Sequence, residues 1–209
     1  MKERKCHSKF IGASLMGAAA LSAYIFLLRP WHLRWGATDE ELVLPLPGDE
    51  LVPNAQTCAT HAVTINAPVN EVWPWLVQIG RDKGGFYSYS WLENAVGCRL
   101  RNADSIVPEW QDLKAGDEVW LHPCVPPLPV LVCEPERVLV LGTNMKEPGT
   151  WGFFLKKVDE QTTRLIIRGR GDFGRGLLKR LGLYILFEPA HFIMERKMLL
   201  GIKQRVETS

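Results

Sequence analysis

The pattern of hydrophobic and polar positions divides the chain into an apolar N-terminal run and a longer, mixed body. The run covers residues 10–28, FIGASLMGAAALSAYIFLL, and contains no charged residue. As a helix it would be roughly 28 Å long, about the thickness of the hydrocarbon core of a bilayer. The run is apolar on every side, whereas a surface helix of a globular domain is apolar only on the face that packs against the core. The run therefore predicts a transmembrane anchor.

Basic residues flank this run unevenly: Lys2, Arg4, Lys5 and Lys9 precede it, and Arg29 and Arg34 follow it. The difference predicts an N-terminus in the cytoplasm and a domain on the other side of the membrane. A cleaved signal peptide is the alternative, because small residues occur at positions 18, 20 and 23. Cleavage there would leave a strongly apolar new N-terminus.

The body begins, after a connector at residues 29–56, with a strand and two helices. Thr38 and Glu41 fit a capping box, which predicts a short helix inside the connector. Alternating apolar positions predict a strand over residues 57–66. Pro68 then opens a helix that ends at Gly80, and a second short helix is predicted over residues 89–96.

From residue 116 the pattern changes to consecutive strands. Five are predicted, over residues 117–122, 130–134, 138–143, 150–158 and 163–170. Short turns join them, which indicates an antiparallel meander. Near the C-terminus, apolar residues recur every four positions and predict a long amphipathic helix: Met194, Met198, Ile202 and Val206. The order of elements predicts an α+β fold.

Composition and charge narrow the classes of function. The chain has 209 residues, of which 46% are hydrophobic and 23% are charged, as in a globular protein. The formal net charge of +2 gives no reason to expect a nucleic-acid partner. The five cysteines have no C-x-x-C spacing, so zinc and thioredoxin-like chemistry lack support: Cys6, Cys58, Cys98, Cys124 and Cys133. A Cys124–Cys133 disulfide and a role as small buried hydrophobic residues both stay open.

Five stretches of sequence carry a family resemblance: APVNEVWPWLVQIG, GGFYSYSWLEN, NADSIVPEWQDLKAGDEV, TRLIIRGR and HFIMERKMLLGIKQRVE. The chain resembles the START-like, or SRPBCC, superfamily of polyketide cyclases and lipid-transfer domains, and more closely a membrane-anchored bacterial branch of it. The resemblance implies a helix-grip fold, in which a curved antiparallel sheet wraps around the long C-terminal helix and leaves an apolar cavity. The superfamily hosts binding, transfer and catalysis on one scaffold, so the activity stays open.

These observations together predict four segments. Residues 1–9 form a basic tail, 10–28 the transmembrane anchor, 29–56 the connector and 57–209 the START-like domain. The expected location is a single pass in the bacterial inner membrane, with the domain outside the cytoplasm. The predicted partner besides the membrane is a hydrophobic small molecule or lipid, with no cofactor and no metal. His191 and Glu195 lie one helical turn apart, but two ligands are too few for a metal site.

The segment from residue 78 to residue 94 is the densest group of candidate ligand-binding residues. Its glycines allow tight turns, and its aromatic side chains carry polar tips. The predicted ligand-binding set adds one tryptophan and two flexible methionines: Gln78, Tyr87, Tyr89, Trp91, Glu93, Asn94, Trp120, Met194 and Met198. The alternative is structural, since the aromatic residues could pin helices to the sheet and the methionines could fill the core.

Three ionisable residues are weak candidates for proton transfer, namely His61, Glu93 and Glu109. A satisfied core histidine and solvated loop acids are the alternatives. A basic stretch, broken by Asp172, leads into the apolar segment 177–187: Arg164, Arg168, Arg170, Arg175, Lys179 and Arg180. Basic followed by apolar sequence is typical of a membrane-surface element, so Arg175, Lys179 and Arg180 are predicted membrane contacts. The alternative is a solvated strand edge followed by a core helix.

Three functions follow from this reading. The leading hypothesis is a membrane-anchored, non-catalytic binding or carrier domain for a lipid-like molecule. The second is a cyclase-like or hydrolase-like enzyme acting on an apolar small molecule. The third is a structural or interaction protein with a filled core. The volume of the cavity separates the third from the others, because ligand sites are usually larger than roughly 300 Å³.

Overall fold

Six antiparallel strands form the sheet of the computed structural model, which describes residues 16, 17, 19–143, 148–172 and 176–208. The strands are β1 Thr57–Ile65, β2 Glu118–Val119, β3 Leu128–Glu134, β4 Val138–Gly142, β5 Gly149–Asp159 and β6 Thr162–Gly171. Their order across the sheet is β1-β6-β5-β4-β3-β2, so β2 to β6 form the predicted meander and β1 pairs with β6.

The helices precede β1, lie between β1 and β2, and follow β6. They are α1 Arg29–Leu33, α2 Asp39–Val43, α3 Val69–Val77, α4 Ser90–Ala95, α5 Leu177–Gly182 and α6 Glu188–Glu207, with 3₁₀ turns at Asp49–Leu51 and Pro108–Trp110. A π-helical turn at Tyr24–Leu28 leads into α1, and another at Leu183–Phe187 joins α5 to α6 without a gap. Pro189 lies in the first turn of α6, where its missing N–H means that it cannot donate a backbone hydrogen bond to the preceding π-helical turn. The α+β order predicted from the sequence is confirmed.

The largest difference from the predicted strands concerns residues 117–122. Only Glu118 and Val119 pair with β3, because the next carbonyl group, that of Trp120, accepts a hydrogen bond of 2.8 Å from the backbone N–H of Arg81. The chain is thereby held by the loop after α3 and leaves the sheet. The four later strands begin and end within two residues of their predicted limits.

The main hydrophobic core lies between one face of the sheet and the C-terminal half of α6. Leu199, Ile202 and Val206 are buried there together with large side chains from the strands, such as Ile65 and Leu165. The predicted amphipathic stripe of the C-terminal helix therefore faces the sheet. This packing of a long C-terminal helix on an antiparallel sheet agrees with the helix-grip arrangement that the family resemblance implies.

The opposite face of the sheet carries the connector, and arginines hold it there. Arg164 forms two hydrogen bonds of 2.8 Å with the Glu41 carboxylate. Glu41 also forms the predicted capping box with Thr38. Arg168 is buried and contacts Asp49 at 2.6 Å. The interpretation of a continuous basic membrane-surface element is therefore wrong for these arginines of β6, because intramolecular carboxylates and carbonyls occupy their guanidinium groups.

Arg170, the last arginine of β6, is held in the same way. Its guanidinium donates to the carbonyl oxygen of Val52 at 3.0 Å and to that of Pro53 at 3.3 Å. The connector is thus bound along the strand by three successive arginines on one face. The part of the connector from Glu41 to Pro53 forms an outer layer of the domain.

The end of the apolar N-terminal run packs against the π-helical turn Leu183–Phe187 and the start of α6. The Tyr24 hydroxyl donates to the backbone carbonyl of Tyr184, and the Arg29 guanidinium forms two hydrogen bonds with Glu188, at 2.7 and 2.9 Å. The predicted tail 1–9 and residues 10–15 and 18 of the predicted anchor lie outside the described residues. Within the part of the chain that is described, no helix combines the length and the apolar character needed to cross a membrane.

Four cysteines fall within the described residues, and each is unbridged. Cys124 and Cys133 therefore do not form the disulfide that the sequence left open. Cys98 is buried, as a small hydrophobic residue would be, whereas Cys58 and Cys124 are exposed. Cys6 lies outside the described residues.

Candidate ligand-binding cavity

A cavity of about 620 Å³ separates the sheet from the N-terminal half of α6. Small residues on the inner face of the sheet create it, because Gly169 lies between Ala59 on β1 and Trp151 on β5. A Cβ atom built on Gly169 would meet no atom within 4 Å. Further along the same strands the inward residues become large and fill the space against α6. The cavity thus begins where the inward side chains of the strands become small.

The wall of this cavity is mainly apolar. Helical segments, a loop and the start of β3 contribute large hydrophobic side chains: Leu121, Leu128, Leu183, Phe187, Phe192 and Met198. A volume of about 620 Å³ falls in the range of small-molecule sites, and such sites combine an apolar wall with a few polar groups. The hypothesis of a protein with a filled core is therefore not favoured.

A buried network of His61, Glu195 and Trp151 forms the polar part of the wall. The His61 side chain is 1% exposed, and its Nδ1 lies within hydrogen-bonding distance of a Glu195 carboxylate oxygen. His61 Nε2 lies 2.7 Å from the backbone carbonyl oxygen of His32, and the Trp151 indole N–H donates to Glu195 at 2.6 Å. Because both nitrogens of the His61 ring face acceptors, the ring donates from both. The arrangement is that of an imidazolium paired with a carboxylate.

The pKa values of the pair follow from competing effects. Burial opposes the charged form of His61, but the hydrogen bond and negative charge of Glu195 outweigh it and raise the pKa of His61 above its ordinary value. Burial likewise opposes ionisation of Glu195, but the charge of His191 and the hydrogen bonds from His61 and Trp151 lower the pKa of Glu195. The raised pKa of His61 and the lowered pKa of Glu195 both favour the ion pair.

This geometry assigns His61 and Glu195 a structural role. Both ring nitrogens of His61 face acceptors and both carboxylate oxygens of Glu195 accept a hydrogen bond, so the charges of the two side chains are paired inside the network. The network instead joins β1, β5, α1 and α6 across the cavity wall. The geometry therefore favours the satisfied histidine over the proton-transfer role considered for His61.

Glu93 differs from this pair because its carboxyl group has an open position. The side chain extends from α4 and is one of the cavity-lining groups. The residue is 7% exposed, and its Oε2 atom has no hydrogen-bond partner. Burial raises the pKa of Glu93 to about 7, since no cation offsets the cost of an ionised carboxylate. The group is therefore available as an uncharged hydrogen-bond donor near neutral pH.

His32 is a second cavity-lining residue with an open position. Its Nε2 lies 3.2 Å from the Tyr24 hydroxyl, whose proton is donated to Tyr184, so Nε2 is the donor of that pair. The buried Nδ1 atom has no partner. Burial, with the nearby charges of Arg29 and His61, lowers the pKa of His32 to about 4. The ring is therefore neutral, and Nδ1 is an acceptor.

The structure brings three of the predicted ligand-binding residues to the cavity, namely Glu93, Met194 and Met198. Two others lie buried outside its wall. Gln78 joins two loop segments through hydrogen bonds to Ser105 and Val107, and the Tyr87 hydroxyl donates to the carbonyl oxygen of Trp75 at 3.0 Å.

The remaining predicted residues also lie away from the cavity wall. Trp91 is 70% exposed. The Asn94 amide donates to the backbone carbonyl of Leu100 and accepts from its backbone N–H. Tyr89 lies against the Lys197 ammonium group, and Trp120 is half-buried directly after β2. The contacts of Asn94 and Tyr89 fit the structural alternative, whereas the exposed Trp91 fits neither role.

Of the predicted catalytic residue Glu109 and the predicted membrane contacts Lys179 and Arg180, only Lys179 lines the cavity. Glu109 is exposed in a 3₁₀ turn and does not line the cavity. Lys179 lines the cavity, while Arg180 is exposed beside Tyr184. Arg175 lies outside the described residues. Among the described residues, no three His, Cys, Asp or Glu side chains are arranged to hold a metal ion.

Several residues of the wall were not singled out for ligand binding from the sequence: His32, Ala59, Trp151, Gly169, Glu188 and Phe192. For His32 and Glu188 no local pattern exists, because their positions depend on contacts between distant helices. For the small residues a signal was present. The alternation of arginine with glycine in residues 168–171 places glycines on the face opposite the arginines, and two such glycines facing a helix leave space.

No protein-family model matches the chain, and no curated protein matches it. Solved structures of similar shape include a hypothetical protein, jhp0584, from Helicobacter pylori, at 12% identity and a TM-score of 0.47, covering 78% of this chain and 95% of that one. MLL2253 from Mesorhizobium loti is 13% identical, covers 72% and 98% of the two chains and has a TM-score of 0.40. CalU16 from Micromonospora echinospora is 17% identical, covers 72% and 84%, and has a TM-score of 0.36. These similarities are distant, and the functional reading rests on the cavity of this chain.

Proposed function

We propose that the protein is a membrane-anchored binding or carrier domain for a hydrophobic, lipid-like small molecule. The cavity of about 620 Å³, with its mainly apolar wall, is the observation that carries this proposal. Burial of apolar ligand surface there would contribute about 25 cal/mol for each Å² removed from water. The wall supplies few open polar groups, which suits a molecule that is largely hydrocarbon.

Exposed apolar side chains beside the cavity support a location at a membrane. They lie on the helical segments 19–33 and 177–187, which the Arg29–Glu188 ion pair holds together: Phe26, Leu27, Trp31, Leu178 and Leu186. Lys179 and Arg180 add positive charge, which anionic lipid head groups attract. The same segments contribute His32, Lys179 and Phe187 to the cavity wall. A bilayer in contact with this surface would lie next to the cavity.

Filling the cavity should abolish binding without unfolding the domain. In Gly169→Leu the added side chain has open space in front of it and would occupy the volume that a ligand needs. We expect at least a tenfold loss of affinity for a fluorescent fatty-acyl probe, equal to about 1.4 kcal/mol, with unchanged circular dichroism. Gln161→Leu, at an exposed turn, adds a leucine outside the cavity and is the matched control. Equal binding by both variants would refute the proposed site.

The proposed anchor leads to a separate expectation. Because residues 10–28 carry no charge and are long enough to span a bilayer, the full chain should remain in the membrane fraction after alkaline carbonate extraction. A protease added outside intact spheroplasts should then digest the domain, as expected for an N-terminus in the cytoplasm. Release by carbonate, or protection of the domain in spheroplasts, would contradict the anchor or its direction respectively.

An enzyme acting on an apolar small molecule is the second candidate, and Glu93 is the observation that favours it. A carboxyl group with a pKa of about 7 in an apolar cavity meets the requirement for a general acid near neutral pH. The wall offers one other open group that could take a proton, the neutral His32 Nδ1, whereas His61 and Glu195 are paired with each other. Recovery of chemically altered ligand after incubation would favour the enzyme, whereas recovery of intact ligand supports the carrier.

A further inference from the structure

Two buried side-chain polar atoms of the described residues lack a hydrogen-bond partner, namely Oε2 of Glu93 and Nδ1 of His32. Both residues line the same cavity. A buried polar group without a partner costs about 1–3 kcal/mol, so most such groups in folded proteins are satisfied. The coincidence of both exceptions in one cavity indicates that its occupant supplies the missing partners.

The hydrogen-bonding character of the two groups is opposite. Glu93 is buried without a neighbouring cation, so its carboxyl group is stable as the neutral acid and donates a hydrogen bond. His32 uses Nε2 as a donor toward Tyr24, which leaves Nδ1 as an acceptor. A hydroxyl group both accepts and donates, so hydroxyl oxygen is the chemistry that matches both residues.

Three other polar side chains of the wall already have partners. Glu188 is bound by Arg29, Glu195 is bound by His61, and the Ser88 hydroxyl donates to the backbone of Met194 at 2.8 Å.

We infer that Glu93 and His32 recognise the polar groups of the ligand, and that the ligand is an uncharged apolar molecule bearing hydroxyl groups, such as a fatty alcohol or a glyceride. Glu93 donates to a hydroxyl oxygen, and a hydroxyl donates to His32. This inference rests on the proposed function, because it names the class of molecule that the cavity binds. Because Glu93 and His32 are both uncharged, neither supplies a counter-charge to a fatty-acid anion or a cationic amine, so the uncharged alcohol is the preferred ligand.

Four probes with the same or nearly the same hydrocarbon chain test the inference: octadecene, oleyl alcohol, oleate and oleylamine. Each would displace a fluorescent fatty-acyl probe from the full chain in amphipol at about pH 6, below the Glu93 pKa of about 7. Oleyl alcohol should bind about tenfold more tightly than octadecene, which is the effect of one net hydrogen bond. Oleate and oleylamine should bind more weakly than the alcohol.

Variants then assign the preference to the two residues. Glu93→Leu should reduce the affinity ratio of alcohol to octadecene to about one, whereas Glu93→Gln should retain most of it because the amide N–H donates. His32→Phe keeps a ring against Phe192, 5.5 Å away between centroids, and should lower the same ratio by removing the acceptor.

Each outcome decides a separate point. Tighter binding of oleate or oleylamine than of the alcohol, or an unchanged ratio in Glu93→Leu, would overturn the assignment. The ranking of probes in the unmodified protein tests it even where a variant fails to fold. Binding of all four probes with equal affinity overturns this inference alone, whereas binding of none overturns the proposed function as well.

Discussion

Replacing Glu195 by alanine is expected to lower the free energy of unfolding by about 3–5 kcal/mol, measured by urea denaturation of the full chain in amphipol. The residue is 3% exposed, and its two carboxylate oxygens accept from His61 and Trp151. Its removal leaves the His61 imidazolium buried without a counter-charge and the Trp151 indole N–H without an acceptor. The unpaired charge and the N–H without an acceptor both lower the free energy of unfolding.

The double variant His61→Leu with Glu195→Met is the matched control. It removes both charges and restores apolar volume, and such replacements of buried ion pairs are often neutral or stabilising. We therefore expect the double variant to recover most of the stability lost in Glu195→Ala. A double variant as unstable as the single one would show that packing or the Trp151 N–H without an acceptor, and not the unpaired charge, accounts for the loss.

The pH dependence of the same measurement gives an independent check. The His61 pKa is raised, so its contribution is complete below the unfolded value of 6.5 and is lost as the pH rises through the folded pKa. The Glu195 pKa is lowered, so its contribution is complete above 4.5 and is lost as the pH falls through the folded pKa. The stability difference between wild type and the double variant should therefore change least between about pH 4.5 and 6.5.

Gly201→Ala is expected to destabilise the protein by about 1–3 kcal/mol, although alanine is the better helix former by about 1 kcal/mol. Gly201 lies in α6, and a Cβ atom there would stand 2.2 Å from the backbone carbonyl oxygen of Tyr87. That backbone cannot move freely, because the N–H groups of Phe86 and Tyr87 donate to the Asn102 side chain. The clash should therefore outweigh the gain in helix propensity.

Gly182→Ala provides the control for this substitution. Gly182 is also helical, with φ of −59°, and a Cβ atom there would meet nothing within 4 Å. Helix propensity then acts alone, so the variant should be neutral or up to about 1 kcal/mol more stable. Equal effects at both glycines, measured by thermal denaturation, would contradict the close approach of α6 to Tyr87. Because Phe86 and Ser88 line the cavity, Gly201→Ala should also weaken probe binding.

The pattern of the sequence was enough to predict the elements that depend on local structure. Strand β1, the meander from β3 to β6 and the long helix α6 follow from alternation and helical periodicity, which a chain must satisfy to bury its apolar residues. The capping box of Thr38 and Glu41 was predicted for the same reason, since its hydrogen bonds join residues three positions apart. Glu93 was selected from a cluster of polar and aromatic residues and does line the cavity.

The tertiary structure alone decided which of these residues share a site. Arg164 and Arg168 appeared to belong to a basic surface, but they bind Glu41 and Asp49, more than 100 residues earlier in the chain. The pairing of His61 with Glu195 spans 134 positions. The cavity exists because Ala59 and Gly169 meet across two strands. Local sequence determines the period and the caps of each element, whereas such long-range pairings depend on how the elements pack, and no local pattern encodes them.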